Sequence, residues 1–211
     1  MKLYLSSYRI PVPEALSALL PAAPARTRMA LIPNSKDYYA QRARSFKIKQ
    51  HVEELQTMGF RPDVLDLLDF DTPGPLAAKL KEYDFIWVAG GNTFNLRFEM
   101  ERSGFDRIIR ELVEGGLVYG GDSAGAIIAG PTLQGVELAD EPEFAEKHIE
   151  TGLGIVPDIV IPHADSAMYG DPIARMIEMY EGRPGVTVLN DNQALVIDGD
   201  TRTVVTATEA A

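Results

Sequence analysis

The chain of 211 residues contains no cysteine and only three histidines, His51, His148 and His163. The lack of cysteine excludes disulfide bonds, thiolate metal sites and a cysteine nucleophile. The histidines do not show the spacing of a metal site, and we expect neither a metal ion nor a cofactor. Acid–base chemistry that needs an imidazole is therefore limited to three side chains.

Positive charge is also scarce, with 20 Lys and Arg against 31 Asp and Glu and a formal net charge of −11. Nucleic acids and anionic membranes both require basic surface, so we expect neither as a partner. A small acidic substrate stays compatible with this composition, because one Arg or Lys can bind a carboxylate. A homodimer is possible.

Long hydrophobic runs are missing too: no stretch approaches the roughly 18 apolar residues that a membrane helix needs. Residues 1–7 are typical of a first strand rather than of a signal peptide. The Ala-rich stretch that follows is interrupted by Pro21 and Pro24. We therefore expect a cytoplasmic protein.

Short apolar runs alternate with longer segments of helical periodicity, which indicates an α/β fold with a mostly parallel sheet and helices on both faces. Strands are predicted at 2–7, 28–33, 62–67, 85–89, 117–119 and 155–162, with closing strands at 186–189, 194–198 and 203–206. Helices are predicted at 38–58, 94–102, 105–114, 124–129 and 172–180. A turn at 197–201 predicts a hairpin, so the C-terminal edge is expected to be antiparallel. No linker divides the chain, and we expect one domain over 1–211.

Ser123 lies between a predicted strand and a predicted helix, in the sequence Gly-Asp-Ser-Ala-Gly. This G-x-S-x-G pattern is typical of a nucleophile elbow, in which small residues permit a sharp turn and close strand–helix packing. The helix N-terminus then favours developing negative charge. The alternative is a serine that caps the helix in a glycine-rich turn. In this strand–turn–helix context we predict an activated serine nucleophile.

His163 follows a predicted strand and is the best placed base for that serine. Ligands collect at the carboxyl ends of parallel strands, where the loops at 90–93 and 120–125 also arrive. A structural histidine bonded to a backbone carbonyl is the alternative. We expect His51, in a polar helix, and His148, in an acidic segment, to lie at the surface.

A third residue should be a carboxylate that orients the imidazole. The candidates between serine and histidine are Glu137, Asp140 and Glu141, and we rank Asp165 and Asp191 below them. The backbone N–H of Ala124 and an N–H of the Gly90-Gly91 loop are expected to form an oxyanion hole. Asn92 and Thr93 either bind substrate or cap the next helix.

Three stretches together resemble the peptidase E (S51) family of serine peptidases. They are Ala-Gly-Gly-Asn-Thr-Phe at 89–94, Gly-Asp-Ser-Ala-Gly-Ala at 121–126 and Ile-Pro-His at 161–163. The resemblance extends over nearly the whole chain and implies a fold like that of class I glutamine amidotransferases. It implies that Ser123 is the nucleophile, that His163 is the base, and that Gly91 and Ala124 supply the oxyanion hole.

The same resemblance implies that the third residue is an acid just ahead of a proline. Asp140, before Glu141 and Pro142, fits this best, and Glu137 is the alternative. It also implies a dipeptidase E-like exopeptidase that hydrolyses short peptides. Family members that recognise an N-terminal Asp use an arginine beyond the histidine. Here only Arg175 is available, about one helical turn displaced.

Other functions stay open at this point. One is a cyanophycinase-like hydrolase of β-linked Asp-Arg, and another is a non-catalytic module of the same fold that binds a small molecule. A conventional α/β-hydrolase esterase is disfavoured, because such folds are usually longer and place their histidine near the C-terminus. We predict a serine exopeptidase with a Ser–His–acid mechanism.

Overall fold

Strands and helices alternate along residues 1–208, the part of the chain that the computed structural model describes. The strands are Lys2–Ser6 (β1), Met29–Ile32 (β2), Pro62–Val64 (β3), Phe85–Val88 (β4), Val118–Asp122 (β5), Ile159–Ile161 (β6), Val186–Val188 (β7), Gln193–Asp198 (β8) and Thr201–Thr206 (β9). The α-helices are Pro13–Leu19 (α1), Gln41–Thr57 (α2), Pro73–Leu80 (α3), Thr93–Ser103 (α4), Phe105–Glu114 (α5), Ala124–Ile127 (α6) and Gly170–Met179 (α7).

The main sheet has seven strands in the order β3-β2-β4-β5-β1-β8-β9. The first five are parallel, whereas β8 runs antiparallel to β1 and β9 antiparallel to β8. Asp198 pairs with Thr201 across the β8–β9 hairpin. The predicted α/β class, with a mostly parallel sheet and an antiparallel C-terminal edge, is confirmed.

Both faces of this sheet are buried, and for this reason its central strands are continuously apolar. In β4, Ile86 and Val88 belong to a cluster that includes side chains of α3 and α5. Their neighbours Phe85 and Trp87 point the other way, into a cluster with α1 and α2. The central strands are thus packed on both faces, and this packing positions the loops at their carboxyl ends.

Strands β6 and β7 form a separate two-stranded parallel sheet. The expectation that 186–189 closes the main sheet is therefore wrong. The edge of β1 is instead taken by β8, which continues directly into the hairpin with β9. The small sheet packs beside α7 in a third apolar cluster around Phe94, Ile161 and Ile173.

Two helices were not predicted, α1 and α3, and both have proline in the first turn. Proline is tolerated there because the first amides of a helix have no intrahelical acceptor. Helix α6 ends at Ile127, two residues before the predicted end. Within residues 1–208, no helix has the length and apolar character that a membrane crossing requires.

Candidate active site

The two residues singled out by their sequence context meet in the structure. The Oγ of Ser123 lies 3.0 Å from Nε2 of His163, within hydrogen-bond distance. Ser123 directly follows β5, and His163 comes two residues after β6. Each side chain is therefore presented by the carboxyl end of a strand, where parallel sheets place their functional loops.

The other ring nitrogen of His163 faces a carboxylate that the sequence ranked low. Nδ1 of His163 is 2.6 Å from Oδ1 of Asp191, which follows β7. That carboxylate oxygen also accepts the hydroxyl of Ser7 at 2.9 Å. The backbone N–H of Asp191 donates to Oδ1 of Asp165 at 2.8 Å. The contacts form a chain from serine to imidazole to aspartate.

The two acids expected as third residue make other contacts. The Asp140 carboxylate accepts the backbone N–H of Thr93 at 2.8 Å and its hydroxyl at 2.6 Å. Burial raises the pKa of Asp140. Glu137 accepts the N–H of Gly135 within its own turn. Among residues 1–208 neither acid bonds to His163, whose Nδ1 is next to Asp191, so the structure corrects this expectation.

Strained backbone is concentrated around the same cavity. In the described part of the chain, residues 1–208, three non-glycine residues have positive φ: Arg9 at 51°, Ser123 at 50° and His163 at 65°. All three line one cavity of about 460 Å³. Such conformations are costly for L-residues and persist where the surrounding structure enforces them, which is common at functional sites.

The turn that carries Ser123 depends on glycine at position 125. A Cβ added to Gly125 would overlap the carbonyl oxygen of Val88 in β4, so only glycine lets α6 approach the sheet this closely. The N–H of Ser123 donates to the carbonyl of Ser6 at 3.1 Å. The elbow is thus fixed against two neighbouring strands.

Two backbone N–H groups beside the serine are available to an oxyanion. Within residues 1–208, neither Gly91 N–H nor Ala124 N–H has a hydrogen-bond acceptor. Gly91 has φ of 153°, and a Cβ there would overlap the Ser35 carbonyl oxygen. Unpaired N–H groups at a helix start and in a strand-end loop suit an oxyanion hole.

The end of β1 connects the parts of the site. Ser6 accepts the N–H of Ser123, and Ser7 accepts the N–H of His163 at 2.7 Å. The Ser7 hydroxyl then donates to Asp191. Sequence reasoning missed Ser7, although two hydroxyl residues at the end of a central parallel strand were a signal that could have found it.

His51 was expected at the surface, but it lines the cavity with only 12% of its side chain exposed. The indole N–H of Trp87 is 3.1 Å from His51 Nε2 and 3.0 Å from Oδ1 of Asp122. Burial lowers the pKa of His51, which keeps the ring neutral and able to accept this N–H. The ring is a wall of the cavity, on the side facing α2.

The residues expected to bind substrate lie elsewhere. The Asn92 side-chain oxygen accepts the N–H of Asn95 at 2.9 Å, and its amide nitrogen donates to the Glu141 carbonyl at 2.9 Å. Thr93 is fully buried against Asp140. Both residues therefore stabilise the start of α4. Arg175 is exposed on α7 and does not line the cavity, because Ile173 and Met176 form the buried face of that helix.

A larger cavity of about 710 Å³ lies at the opposite edge of the sheet. It is lined by residues at the amino ends of β1 and β5, including Lys2 and Val118. It contains neither Ser123 nor His163, both of which line the smaller cavity.

The fold and the contacts at the strand ends are those of an α/β serine hydrolase. The model of peptidase family S51 matches residues 8–205, and the chain belongs to that family. It is therefore a peptidase. The family expected from the sequence is confirmed.

Relatives with curated names carry the same description. The chain is 28% identical over 156 residues to "Uncharacterized peptidase Lmo0363" of Listeria monocytogenes, covering 74% of this chain and 76% of that protein. It is 32% identical over 153 residues to "Peptidase E" of Streptomyces coelicolor, covering 71% of this chain but 56% of that protein. A crystal structure of a Listeria monocytogenes EGD-e protein superposes with a TM-score of 0.84 at 24% identity, with 98% of both chains covered. That likeness shows the fold.

Proposed function

We propose that the protein is a serine exopeptidase that hydrolyses short peptides with Ser123 as nucleophile, His163 as base and Asp191 as the orienting acid. The observation that carries the proposal is the unbroken chain of contacts from Ser123 Oγ through His163 to Asp191. An acid that bonds Nδ1 fixes the tautomer in which Nε2 can accept the serine proton.

The hydrolysis proceeds in two steps. Ser123 Oγ attacks the scissile carbonyl carbon while its proton passes to Nε2 of His163. The imidazolium, stabilised by Asp191, then protonates the leaving amine as the C–N bond breaks. Water then attacks the acyl carbon while its proton passes to His163, and His163 returns that proton to Ser123 Oγ as the acyl C–O bond breaks and the acid product leaves. The enzyme returns to its starting protonation state.

Gly91 N–H and Ala124 N–H supply the oxyanion hole in this mechanism. Both lack acceptors within residues 1–208, and Gly90 lies against the nucleophile, since a Cβ on it would be 3.0 Å from the Ser123 Cβ. Hydrogen-bond donors that need no reorganisation stabilise the tetrahedral intermediate more than the substrate, which lowers the barrier.

The cavity suits a short peptide with a carboxylate. Its volume of about 460 Å³ lies in the range of small-molecule sites. Of its three cations, Arg9 is paired with Glu54 at 2.8 Å and Lys36 donates to the Gly90 carbonyl, whereas Lys47 has neither a carboxylate within 4 Å nor a hydrogen-bond acceptor among residues 1–208. Lys47, which lies over the Tyr39 ring, is thus the cation that we propose receives a substrate carboxylate. An N-terminal Asp would fit here without any contribution from Arg175.

A dipeptide library with a varied first residue, including β-linked Asp-Arg, tests both the activity and its specificity. We expect Ser123→Ala to lower kcat by at least about 10⁴-fold on every substrate that the wild type cleaves. The exposed serine of α2 gives the matched control, Ser45→Ala, which should keep full activity.

Turnover that survives Ser123→Ala would overturn the nucleophile assignment. Activity confined to β-linked Asp-Arg would instead point to the cyanophycinase-like function. If no peptide is cleaved and a fluorophosphonate probe leaves Ser123 unlabelled, the protein is a binding module of this fold.

A further inference from the structure

The carbonyl of Gly90 receives two hydrogen bonds on the side away from the proposed oxyanion. Ser35 Oγ donates to it at 2.8 Å, and the ammonium of Lys36 donates to the same oxygen. Ser35 and Lys36 lie in the turn that follows β2. In a trans peptide the C=O and the next N–H point in opposite directions. Holding the Gly90 oxygen therefore also aims the N–H of Gly91.

The remaining freedom of this loop is removed from other sides. Gly90 N–H donates to Oδ1 of Asp122 at 3.1 Å, and Asn92 N–H donates to the Ser35 carbonyl at 2.9 Å. The peptide between Gly90 and Gly91 is thus enclosed by fixed partners. Its N–H is left facing the cavity that both glycines and Ser123 line.

Lys36 is an unusual residue to find in this position. It is only 8% exposed, and within residues 1–208 it has no carboxylate within 4 Å. The charged groups around it are Asp122, Asp37 and Glu54 with one cation, Lys47, and the neutral ring of His51. Burial lowers its pKa. A buried ammonium with one backbone acceptor costs stability, so a neutral side chain of similar length would suit the fold better.

We propose that Lys36 is the positioning residue of the oxyanion hole. Its ammonium holds the Gly90 carbonyl so that Gly91 N–H faces the reacting oxygen, and its charge polarises that peptide as the intermediate forms. This inference rests on the proposed serine mechanism. Lys36 does not touch the substrate, and it acts through the backbone that does.

The variant Lys36→Met removes the charge and nearly preserves the volume. We expect kcat on a cleaved dipeptide to fall about 10- to 100-fold, because an aimed oxyanion donor is worth up to about 10²–10³ in kcat. The rate constant for Ser123 labelling by a fluorophosphonate should fall in parallel, and KM should change less than about 3-fold. The thermal midpoint of Lys36→Met should equal or exceed that of the wild type, whereas a merely structural role of Lys36 would lower it.

Two lysines of α2 provide comparisons. Lys49→Met removes an exposed lysine outside the cavity and should leave kcat and labelling as in the wild type. Lys47→Met removes the other lysine of the cavity without any bond to Gly90, and should raise KM for peptides with a carboxylate while labelling stays fast.

A pH profile adds an independent readout. Because the pKa of Lys36 lies below the ordinary value of 10.5, the wild-type kcat should fall at high pH as the ammonium loses its proton. This alkaline limb should be missing from the Lys36→Met profile. A limb that persists unchanged in the variant contradicts the assignment.

Equal labelling rates of wild type and Lys36→Met would overturn the positioning role and leave the serine mechanism standing. A rise in KM for acidic peptides with unchanged kcat would show that Lys36 binds the substrate directly, and would overturn it as well. Labelling that survives Ser123→Ala would overturn the serine mechanism, and the role of Lys36 with it.

If Lys36→Met fails to fold, Ser35→Ala removes the second donor to the same carbonyl and should slow labelling about 3- to 10-fold.

Discussion

At the scale of single residues, Asp191 is the most informative side chain of the site. We expect Asp191→Asn to lower kcat about 10²- to 10⁴-fold, because an amide can donate to Nδ1 and stabilise the wrong tautomer of His163. Its effect on KM should be small. Steady-state kinetics on a cleaved dipeptide measure both constants.

The matched control is Asp200→Asn in the exposed β8–β9 turn, which should retain wild-type kinetics. Asp140→Asn separates the two candidate acids: within residues 1–208 the Asp140 carboxylate accepts hydrogen bonds from Thr93 and none from His163, so its loss should reduce stability more than kcat. The opposite ranking, with Asp140 essential and Asp191 dispensable, would return the orienting role to Asp140.

These residues also show which parts of the site could be predicted from the sequence. Ser123 and His163 were predicted from their immediate neighbours, which form a glycine-rich elbow and the end of a strand. Asp191 has no such pattern, because it is 28 residues beyond its partner and becomes an acid of the site only where β6 and β7 pair. The resemblance to peptidase E, which implies an acid just ahead of a proline, led to Asp140 instead.

At the scale of elements, helix α4 depends on the polar side chains at its N-terminus. Asn92 accepts the N–H of Asn95 and donates to the Glu141 carbonyl, so it joins the helix to the segment that precedes Pro142. We expect Asn92→Ala to lower the free energy of unfolding by about 1–3 kcal/mol, from a lost cap and a lost hydrogen bond. Chemical denaturation followed by circular dichroism measures it.

The exposed Asn192→Ala serves as the comparison and should change stability by less than about 0.5 kcal/mol. If Asn92→Ala changes the free energy of unfolding by less than that same margin, Asn92 does not stabilise α4, and the substrate-binding alternative is favoured.

Elements with a strong period were the ones predicted well. Strand β4 is buried on both faces and is therefore apolar throughout, whereas helix α5 is buried on one face and is apolar only at helical spacing. Both patterns can be recognised in the sequence. Local sequence patterns do not show which strands pair with each other. The apolar run at 186–189 has the pattern of a strand at the edge of the main sheet, but β8 occupies that edge by pairing with β1, and β7 pairs with β6 in the small sheet.

At the scale of the whole molecule, the formal net charge of −11 sets how stability responds to salt. Mutual repulsion of the excess acids weakens the folded state at low ionic strength, and salt screens it. We expect the thermal midpoint to rise by about 1–4 °C between 10 mM and 0.3 M sodium chloride, which corresponds to about 1 kcal/mol for a chain of this size. Differential scanning fluorimetry measures the shift.

Neutralising two exposed acids, Glu143→Gln with Glu146→Gln, should raise the midpoint at low salt and reduce the response. A midpoint that falls as salt is added would mean that the surface ion pairs outweigh the repulsion.

The hydrogen bond between Ser7 and Asp191 joins residues that are 184 positions apart. A contact between residues so far apart closes a long loop, and the entropy lost in closing it is offset only when the strands between them are already paired. We therefore expect Asp191 to reach the imidazole of His163 late in folding, after β1 and β5 have paired.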